Sequence, residues 1–154
     1  MGLSPDADPR TSAGPSGRPR VLLVEDNERE RETMAELLGD EGLDVVGAAA
    51  DGGEGVAMAE ALRPDVVLMD FRMPGMDGIE ATRRIRAALP ATQVILLTAY
   101  ADSYLTQSAE QVGCYAYLVK GSSPGFVRDV VVQAWRLAAG LAERERAGGP
   151  SPAT

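Results

Sequence analysis

The sequence predicts a single α/β domain, a doubly wound (βα)5 unit built on a five-stranded parallel sheet. Two observations carry this prediction: unbroken apolar runs recur along the chain, and segments with helical periodicity separate them. The chain has 154 residues, which is the usual length of one domain and enough to bury a core without disulfides. We expect the folded unit to span residues 19–145.

Five segments are predicted to be strands. Unbroken apolar runs suit strands that are buried on both faces, as in a parallel sheet, and three segments are of this kind. Two weaker segments complete the set. In chain order, the predicted strands cover residues 21–24, 43–47, 66–69, 94–97 and 116–119.

The segments between the strands place apolar residues at helical spacing. The first helix shows a capping-box pattern, with Asn27 as the N-cap and Glu30 three residues later. Before the last helix, Ser123 can act as the cap and Pro124 suits the first helical position. The predicted helices cover residues 28–41, 54–62, 79–89, 103–112 and 126–141. Strands that alternate with helices imply right-handed crossovers and a flavodoxin-like fold, whose site lies beyond the carboxyl ends of the strands.

Composition excludes several classes of function. The net charge of −8 argues against direct binding of nucleic acid and against docking on an anionic membrane. The chain contains no histidine and one cysteine, which excludes histidine-dependent nucleophilic catalysis and leaves no ligand set for a structural zinc. Cysteine usage and the lack of a long apolar run favour a cytoplasmic location. Residues 1–18 and 146–154 are rich in proline, glycine and serine, and we predict that both are disordered tails.

Polar residues follow four of the five predicted strands. Glu25 and Asp26 come after the first strand, Asp70 after the third, Thr98 after the fourth and Lys120 after the fifth. Because the carboxyl ends of parallel strands meet at one edge of the sheet, we expect these side chains to lie close together. Taken one at a time, each has a plain structural explanation: a helix N-terminal acid, a turn cap, a structural hydroxyl or a solvated surface charge. Their convergence is the argument for a functional site.

This set of residues suits phosphoryl transfer. Crowded carboxylates repel one another unless a cation joins them, and oxygen ligands of this kind favour Mg²⁺. Phosphoryl transfer requires in-line positioning and cancellation of charge on the phosphoryl oxygens, which a metal ion, Lys120 and the Thr98 hydroxyl could supply. Without histidine the nucleophile must be a carboxylate, and Asp70 on the central strand is the natural candidate for an aspartyl phosphate.

Four motifs carry a resemblance to a known family. Val-Glu-Asp-Asn at 24–27, Leu-Met-Asp-Phe-Arg-Met-Pro-Gly-Met-Asp-Gly at 68–78, Leu-Thr-Ala-Tyr at 97–100 and Tyr-Leu-Val-Lys-Gly at 117–121 resemble the receiver domains of bacterial response regulators. These regulators take part in two-component phosphorelay signal transduction. The resemblance covers nearly the whole predicted folded unit, and the chain is most similar to receivers that precede a helix-turn-helix output domain.

The resemblance implies a role for each site residue. Asp70 would be the phosphoacceptor, and Asp26, Asp70, the Arg72 backbone carbonyl and, through water, Glu25 would bind Mg²⁺. Lys120 would pair with the phosphoryl group. The switch residues are then implied to be Thr98, which would move toward the phosphoryl group, and Tyr117, which would turn inward and repack the surface of the fourth helix, fifth strand and fifth helix.

Two positions depart from the common family pattern, and three others flank the phosphoryl position. Glu25 stands where many members have Asp, and its longer side chain can still reach a water shell. Gly121 stands where many members have proline, so the loop before the last helix is more permissive. Ala99 and the bulky Arg72 and Tyr100 flank the phosphoryl position, and we predict that the two bulky residues obstruct water and lengthen the lifetime of the aspartyl phosphate.

Two other functions fit these residues less well. A phosphatase of the haloacid dehalogenase type would need a second aspartate where Arg72 stands, and a flavin phosphate would be repelled by Glu25 and Asp26. Two alternatives stay open: a pseudo-receiver that binds partners without phosphorylation, and a receiver fragment of a longer DNA-binding regulator. The expected partner is a sensor histidine kinase or phosphotransfer protein in trans, with a phosphorylation-dependent homodimer or a separate output protein downstream. As a signalling protein, the chain would catalyse only its own phosphorylation and dephosphorylation.

Overall fold

The computed structural model describes residues 17–99 and 103–147. Five parallel strands form one sheet in the order β2-β1-β3-β4-β5, which confirms the predicted flavodoxin-like doubly wound topology. The strands are β1 (Arg20–Val24), β2 (Asp44–Ala49), β3 (Val66–Asp70), β4 (Gln93–Thr98) and β5 (Ala116–Val119). The predicted tails lie mostly outside the described residues, as does Tyr100.

Five helices connect the strands. They are α1 (Glu28–Asp40), α2 (Gly52–Leu62), α3 (Gly78–Ala88), α4 (Ser103–Val112) and α5 (Pro124–Arg146). Side-chain oxygens cap four of them, because each N-cap residue accepts a hydrogen bond from a backbone N–H in the first turn. The four N-cap residues are Asn27, Asp51, Asp77 and Ser123.

The helices bury both faces of the sheet, as unbroken apolar strands require. On one face Leu22, Met69 and Leu96 pack with residues of α2, α3 and α4. On the other face Leu23 and Leu68 pack with residues of α1 and α5. Neighbouring residues of one strand therefore pack in opposite layers of the domain. Each such buried side chain contributes about 1.5–3 kcal/mol to the stability of the fold.

Strand β2 runs two residues further than its sequence predicted. The prediction ended it at Gly47, because glycine and alanine are poor strand formers. In the structure the backbone pairs with β1 as far as Ala49, opposite Val24. A Cβ at Gly47 would lie 2.8 Å from Met58 Cε and 2.9 Å from Leu62 Cδ1, the far ends of two side chains of α2, so this helix packs closely against the strand here.

Helix α5 is longer than predicted and has 23 residues. The apolar periodicity ends at Leu141, but the following Glu and Arg residues are strong helix formers, and Arg144 and Arg146 favour the negative end of the helix dipole. Arg146, assigned to the C-terminal tail by the sequence, is therefore the last helical residue, and Ala147 is the C-cap. Within the described ranges, none of the helices combines the length and apolar character needed to cross a membrane.

Candidate phosphorylation site

The carboxyl edge of the sheet gathers the predicted site residues. Asp70 and Thr98 are the last residues of β3 and β4, and Lys120 directly follows β5. Glu25 and Asp26 follow β1, whose last residue Val24 pairs with Met69 of β3. The strand order places β1, β3 and β4 side by side, so residues from separate stretches of sequence meet at this edge.

Three carboxylates form the centre of the site. An oxygen of Glu25, one of Asp26 and one of Asp70 all lie within 4.8 Å of one another. Glu25 and Asp70 are only 3% and 5% exposed, whereas Asp26 is exposed. Burial raises the pKa of the Glu25 carboxyl and of the Asp70 carboxyl, because desolvation disfavours their charged forms.

Lys120 neutralises part of this negative charge. Its Nζ donates to Glu25 Oε1 at 3.0 Å and to Asp70 Oδ2 at 3.2 Å, and a third carboxylate, Glu30 Oε1, lies at 3.0 Å. Burial by itself would lower the pKa of the Lys120 ammonium, but its hydrogen bonds with the three acids raise it overall. Lys120 therefore stays positively charged beside Asp70.

The loop after β3 folds back on Asp70. The Arg72 N–H donates to Asp70 Oδ1 at 3.3 Å, which orients the carboxylate. The Gly78 N–H donates to the Phe71 carbonyl at 2.9 Å, and a Cβ at Gly78 would lie 2.6 Å from the Asp70 carbonyl oxygen. Helix α3 thus begins in direct contact with the backbone of the candidate phosphoacceptor, and only glycine fits there.

Thr98 and Tyr117 lie on neighbouring strands, Thr98 at this edge and Tyr117 two residues before the end of β5. Thr98 is buried one residue beyond Leu97, which pairs with Asp70, and its carbonyl accepts a 2.6 Å hydrogen bond from the Lys120 N–H. Tyr117 on β5 is half-buried, and its hydroxyl lies 2.5 Å from the Thr106 hydroxyl on α4. The predicted switch tyrosine is therefore joined directly to α4.

The predicted flanking residues differ in how much the structure describes of them. Arg72 and Ala99 are both exposed at this edge, and Tyr100 lies outside the described residues. An open cleft lies beside the site, and Asp26, Arg72 and Leu105 of α4 are among the residues that line it. Gly121 adopts a φ of +92°, a conformation that proline cannot adopt, so the loop after Lys120 differs from the common family pattern.

The donor set fits Mg²⁺. All three central side chains offer hard carboxylate oxygens, one of the acids is exposed and two are buried, and the loop backbone of Arg72 contacts Asp70. Mg²⁺ prefers such oxygen ligands and keeps several waters, which an exposed edge permits. The arrangement combines a buried carboxylate, an ammonium hydrogen-bonded to it and a cluster of acids that could hold a divalent cation.

Two residues at the site were not identified from the sequence. Glu30 was interpreted as part of a capping box, and its N–H does donate to Asn27 Oδ1 at 2.9 Å. However, the Glu30 side chain contacts Lys120, and the Asn27 N–H donates to Glu25 Oε2 instead. Thr106 belongs to none of the sequence motifs and was not identified either. Both contacts join residues from different elements, so only the folded topology reveals them.

The chain is similar to known response regulators over most of its length. The family profile described as the response regulator receiver domain matches residues 21–131. Transcriptional regulatory protein LiaR of Bacillus subtilis is 41% identical over 113 residues, which are 73% of this chain and 54% of LiaR. Transcriptional regulatory protein PdtaR of Mycobacterium tuberculosis is 42% identical over 112 residues, with the same two coverages of 73% and 54%.

Solved structures agree with these sequence matches. A two-component response regulator of the LuxR family from Aurantimonas sp. SI85-9A1 superposes with a TM-score of 0.71 at 33% identity. The match covers 85% of this chain and 99% of that one. The chain spans about half the length of the curated relatives named above, and all the site residues from Glu25 to Lys120 lie inside the matched region.

Proposed function

Since this chain belongs to the receiver domains of response regulators, we propose that Asp70 accepts a phosphoryl group from the phosphohistidine of a partner protein. One observation carries the proposal: the Asp70 carboxylate lies in a cluster with two other acids and accepts a hydrogen bond from Lys120 at 3.2 Å. The 154 residues contain no histidine, so the donor lies outside them, on a sensor histidine kinase or a phosphotransfer protein.

The transfer uses the Asp70 carboxylate as nucleophile. An Asp70 oxygen attacks the phosphorus, the phosphorus–nitrogen bond breaks, and its electron pair returns to the donor imidazole. Lys120 pairs with one phosphoryl oxygen, and the Thr98 hydroxyl binds another. Glu25, Asp26, Asp70 and the Arg72 carbonyl would hold Mg²⁺, which when bound cancels charge on the phosphoryl oxygens.

This chemistry makes the chain a signalling protein rather than an enzyme with a separate substrate. We propose that it catalyses only its own phosphorylation and dephosphorylation, and that it does so in the cytoplasm. The net charge of −8 supports partners other than nucleic acid for these residues. Two relatives are named transcriptional regulatory proteins, which favours the alternative that the domain is part of a longer DNA-binding transcriptional regulator.

The proposal is tested by intact mass after incubation with Mg²⁺ and a small-molecule phosphodonor. We expect one phosphoryl adduct per chain, absent when a chelator removes the metal ion. An adduct that persists with chelator would contradict the metal requirement. A folded chain that gains no adduct would favour the second candidate, a pseudo-receiver that binds partners constitutively.

Removing the bulky flanking side chains should shorten the lifetime of the phosphorylated state. In the Arg72→Ala, Tyr100→Ala double variant, water gains access to the phosphorus, and we expect hydrolysis to become at least about threefold faster. The decay of the adduct with time measures this rate. Arg136→Ala removes the same positive charge at an exposed position of α5 and serves as the control. Equal decay in the double variant and the wild type would show that Arg72 and Tyr100 do not shield the site.

The hydrogen bond between Tyr117 and Thr106 should hold the switch in its unphosphorylated state. We propose that Tyr117 turns inward when Thr98 moves toward the phosphoryl group, so this 2.5 Å contact must break. Thr106→Val keeps the shape but removes the hydroxyl. A hydrogen bond worth about 1 kcal/mol corresponds to a roughly fivefold population shift toward the active arrangement.

The shift is measured by ¹⁹F NMR of protein labelled with fluorotyrosine. We expect the Tyr117 resonance of Thr106→Val to move toward its phosphorylated position before any donor is added. Thr33→Val, on an exposed position of α1, should leave it in place. A Tyr117 resonance that stays at its wild-type position in Thr106→Val would rule out this contact as a lock.

A further inference from the structure

Lys120 has a partner that the proposed chemistry does not use. An ammonium has three hydrogens, and three carboxylates surround this one: Glu25 and Asp70 of the acidic cluster, and Glu30 at 3.0 Å. Glu30 belongs to the first turn of α1, 90 residues before Lys120 in the sequence. Its side chain is 55% exposed, yet its carboxylate points at the edge of the site.

We propose that Glu30 is a positioning residue, which holds the Lys120 ammonium over Asp70 during phosphoryl transfer. This inference rests on the proposed function of Asp70 as phosphoacceptor. Glu25 and Asp70 belong to the carboxylate cluster that would share a metal ion, and Asp70 would itself become an acyl phosphate. Of the three acids that contact Lys120, Glu30 is outside this cluster, so its contact can persist through the reaction.

The backbone around Glu30 is fixed independently of Lys120. The Glu30 N–H is bound to the Asn27 side chain, which fixes the first turn of α1, and the Asn27 N–H is bound to Glu25. The Lys120 backbone is held separately, because its N–H donates to the Thr98 carbonyl at 2.6 Å. Because Lys120 follows β5 without a regular element of its own, the side-chain bridge to α1 restricts where its flexible four-carbon stem can place the charge.

The chain offers a direct probe of this contact, because Lys120 is its only lysine. An amine-specific acylating reagent can modify only this side chain and the N-terminal amine, which proteolysis and mass measurement distinguish. An ammonium whose hydrogens are each bound to a carboxylate reacts slowly, since it must first lose a proton and become accessible. The acylation rate therefore reports how firmly Lys120 is held, whether or not phosphorylation occurs.

The experiment compares Glu30→Ala with Glu28→Ala. Both substitutions remove an acid from the first turn of α1, so they change charge and helix dipole alike, but only Glu30 contacts Lys120. For Glu30→Ala we expect Lys120 to be acylated about twofold to fivefold faster, and the rate of phosphorylation by a small-molecule donor to fall by a similar factor. Glu28→Ala should match the wild type in both measurements, and Glu30→Gln, which keeps an acceptor oxygen, should lie between.

The two measurements test the Glu30–Lys120 contact and its role in phosphorylation separately. Equal acylation rates for the two alanine variants would overturn the contact, and faster acylation with unchanged phosphorylation would overturn its role in the reaction. If the wild type gains no phosphoryl group at all, the proposed function fails instead. The acylation rates alone would then decide whether Glu30 holds Lys120.

Discussion

The Asp70→Asn variant is expected to take up no phosphoryl group under conditions that fully modify the wild type. An amide cannot form the acyl phosphate, and no other carboxylate of the cluster has the same position at the end of the central strand. Intact mass after incubation with Mg²⁺ and donor measures the effect. Asp77→Asn is the matched control, because Asp77 is an exposed N-cap of α3 and asparagine caps a helix equally well. An adduct of normal size on Asp70→Asn would place the phosphoacceptor elsewhere.

The same variant should be more stable than the wild type in metal-free buffer. Burial raises the pKa of the Asp70 carboxyl in the folded state above its unfolded value. Such a group stabilises the fold when protonated, and this contribution is lost as the pH rises through the folded pKa. At neutral pH the buried carboxylate is therefore a net cost that an amide avoids.

We expect the melting temperature of Asp70→Asn to rise by roughly 2–5 °C without metal. Added Mg²⁺ should stabilise the wild type more than the variant, since the variant lacks one of the three acids. A lower melting temperature for Asp70→Asn would mean that its ion pair with Lys120 outweighs the crowding of the acids.

Replacing Gly78 by alanine should cost about 1–3 kcal/mol of stability and slow phosphorylation. The added Cβ would lie 2.6 Å from the Asp70 carbonyl oxygen and 2.9 Å from the Phe71 Cα. Both neighbours are backbone atoms that cannot rotate away, so α3 or the end of β3 must shift. A shift at β3 moves the Asp70 carboxylate away from Lys120, and chemical denaturation together with the phosphorylation rate measures both effects.

Gly140 provides the opposite substitution within a helix. It is exposed in α5, and a Cβ there would meet nothing within 4 Å. Gly140→Ala should therefore raise the free energy of unfolding by about 0.5–1 kcal/mol, because alanine is the better helix former. If both variants changed stability in the same direction, the close approach of α3 to Asp70 would not be the cause.

Most of the fold could be predicted because its strands have an unmistakable pattern. Val66 and Val67 point to opposite faces of the sheet and both are buried. The unbroken apolar run in the sequence indicates a strand that is covered on both faces. The prediction was less accurate where tertiary contacts override local preference. Gly47 and Ala49 pair in β2 although they are poor strand formers, and the charged end of α5 remains helical beyond the apolar pattern that ends at Leu141.

The acids and the lysine of the site could also be predicted, because parallel topology sends the end of every strand to one edge. The family resemblance that the four motifs indicated is confirmed by the matches to receiver domains. The contacts of Glu30 and Thr106 could not be predicted in the same way. Glu30 contacts Lys120, 90 residues away, and Thr106 contacts Tyr117, 11 residues away. Neither contact produces a periodic pattern in the sequence.

The length of α5 has a mechanical consequence. Its 23 residues extend about 34 Å, whereas the six residues of β4 span about 20 Å, so the helix reaches past the sheet. One end begins beside the loop that follows Lys120, and the other lines a cavity with Arg63 and Leu89 at the opposite edge. A tilt of about 5° at the first turn would displace the last turn by about 3 Å. If the helix moves as a rigid body, a small movement beside the acids becomes a larger one at the far side of the domain.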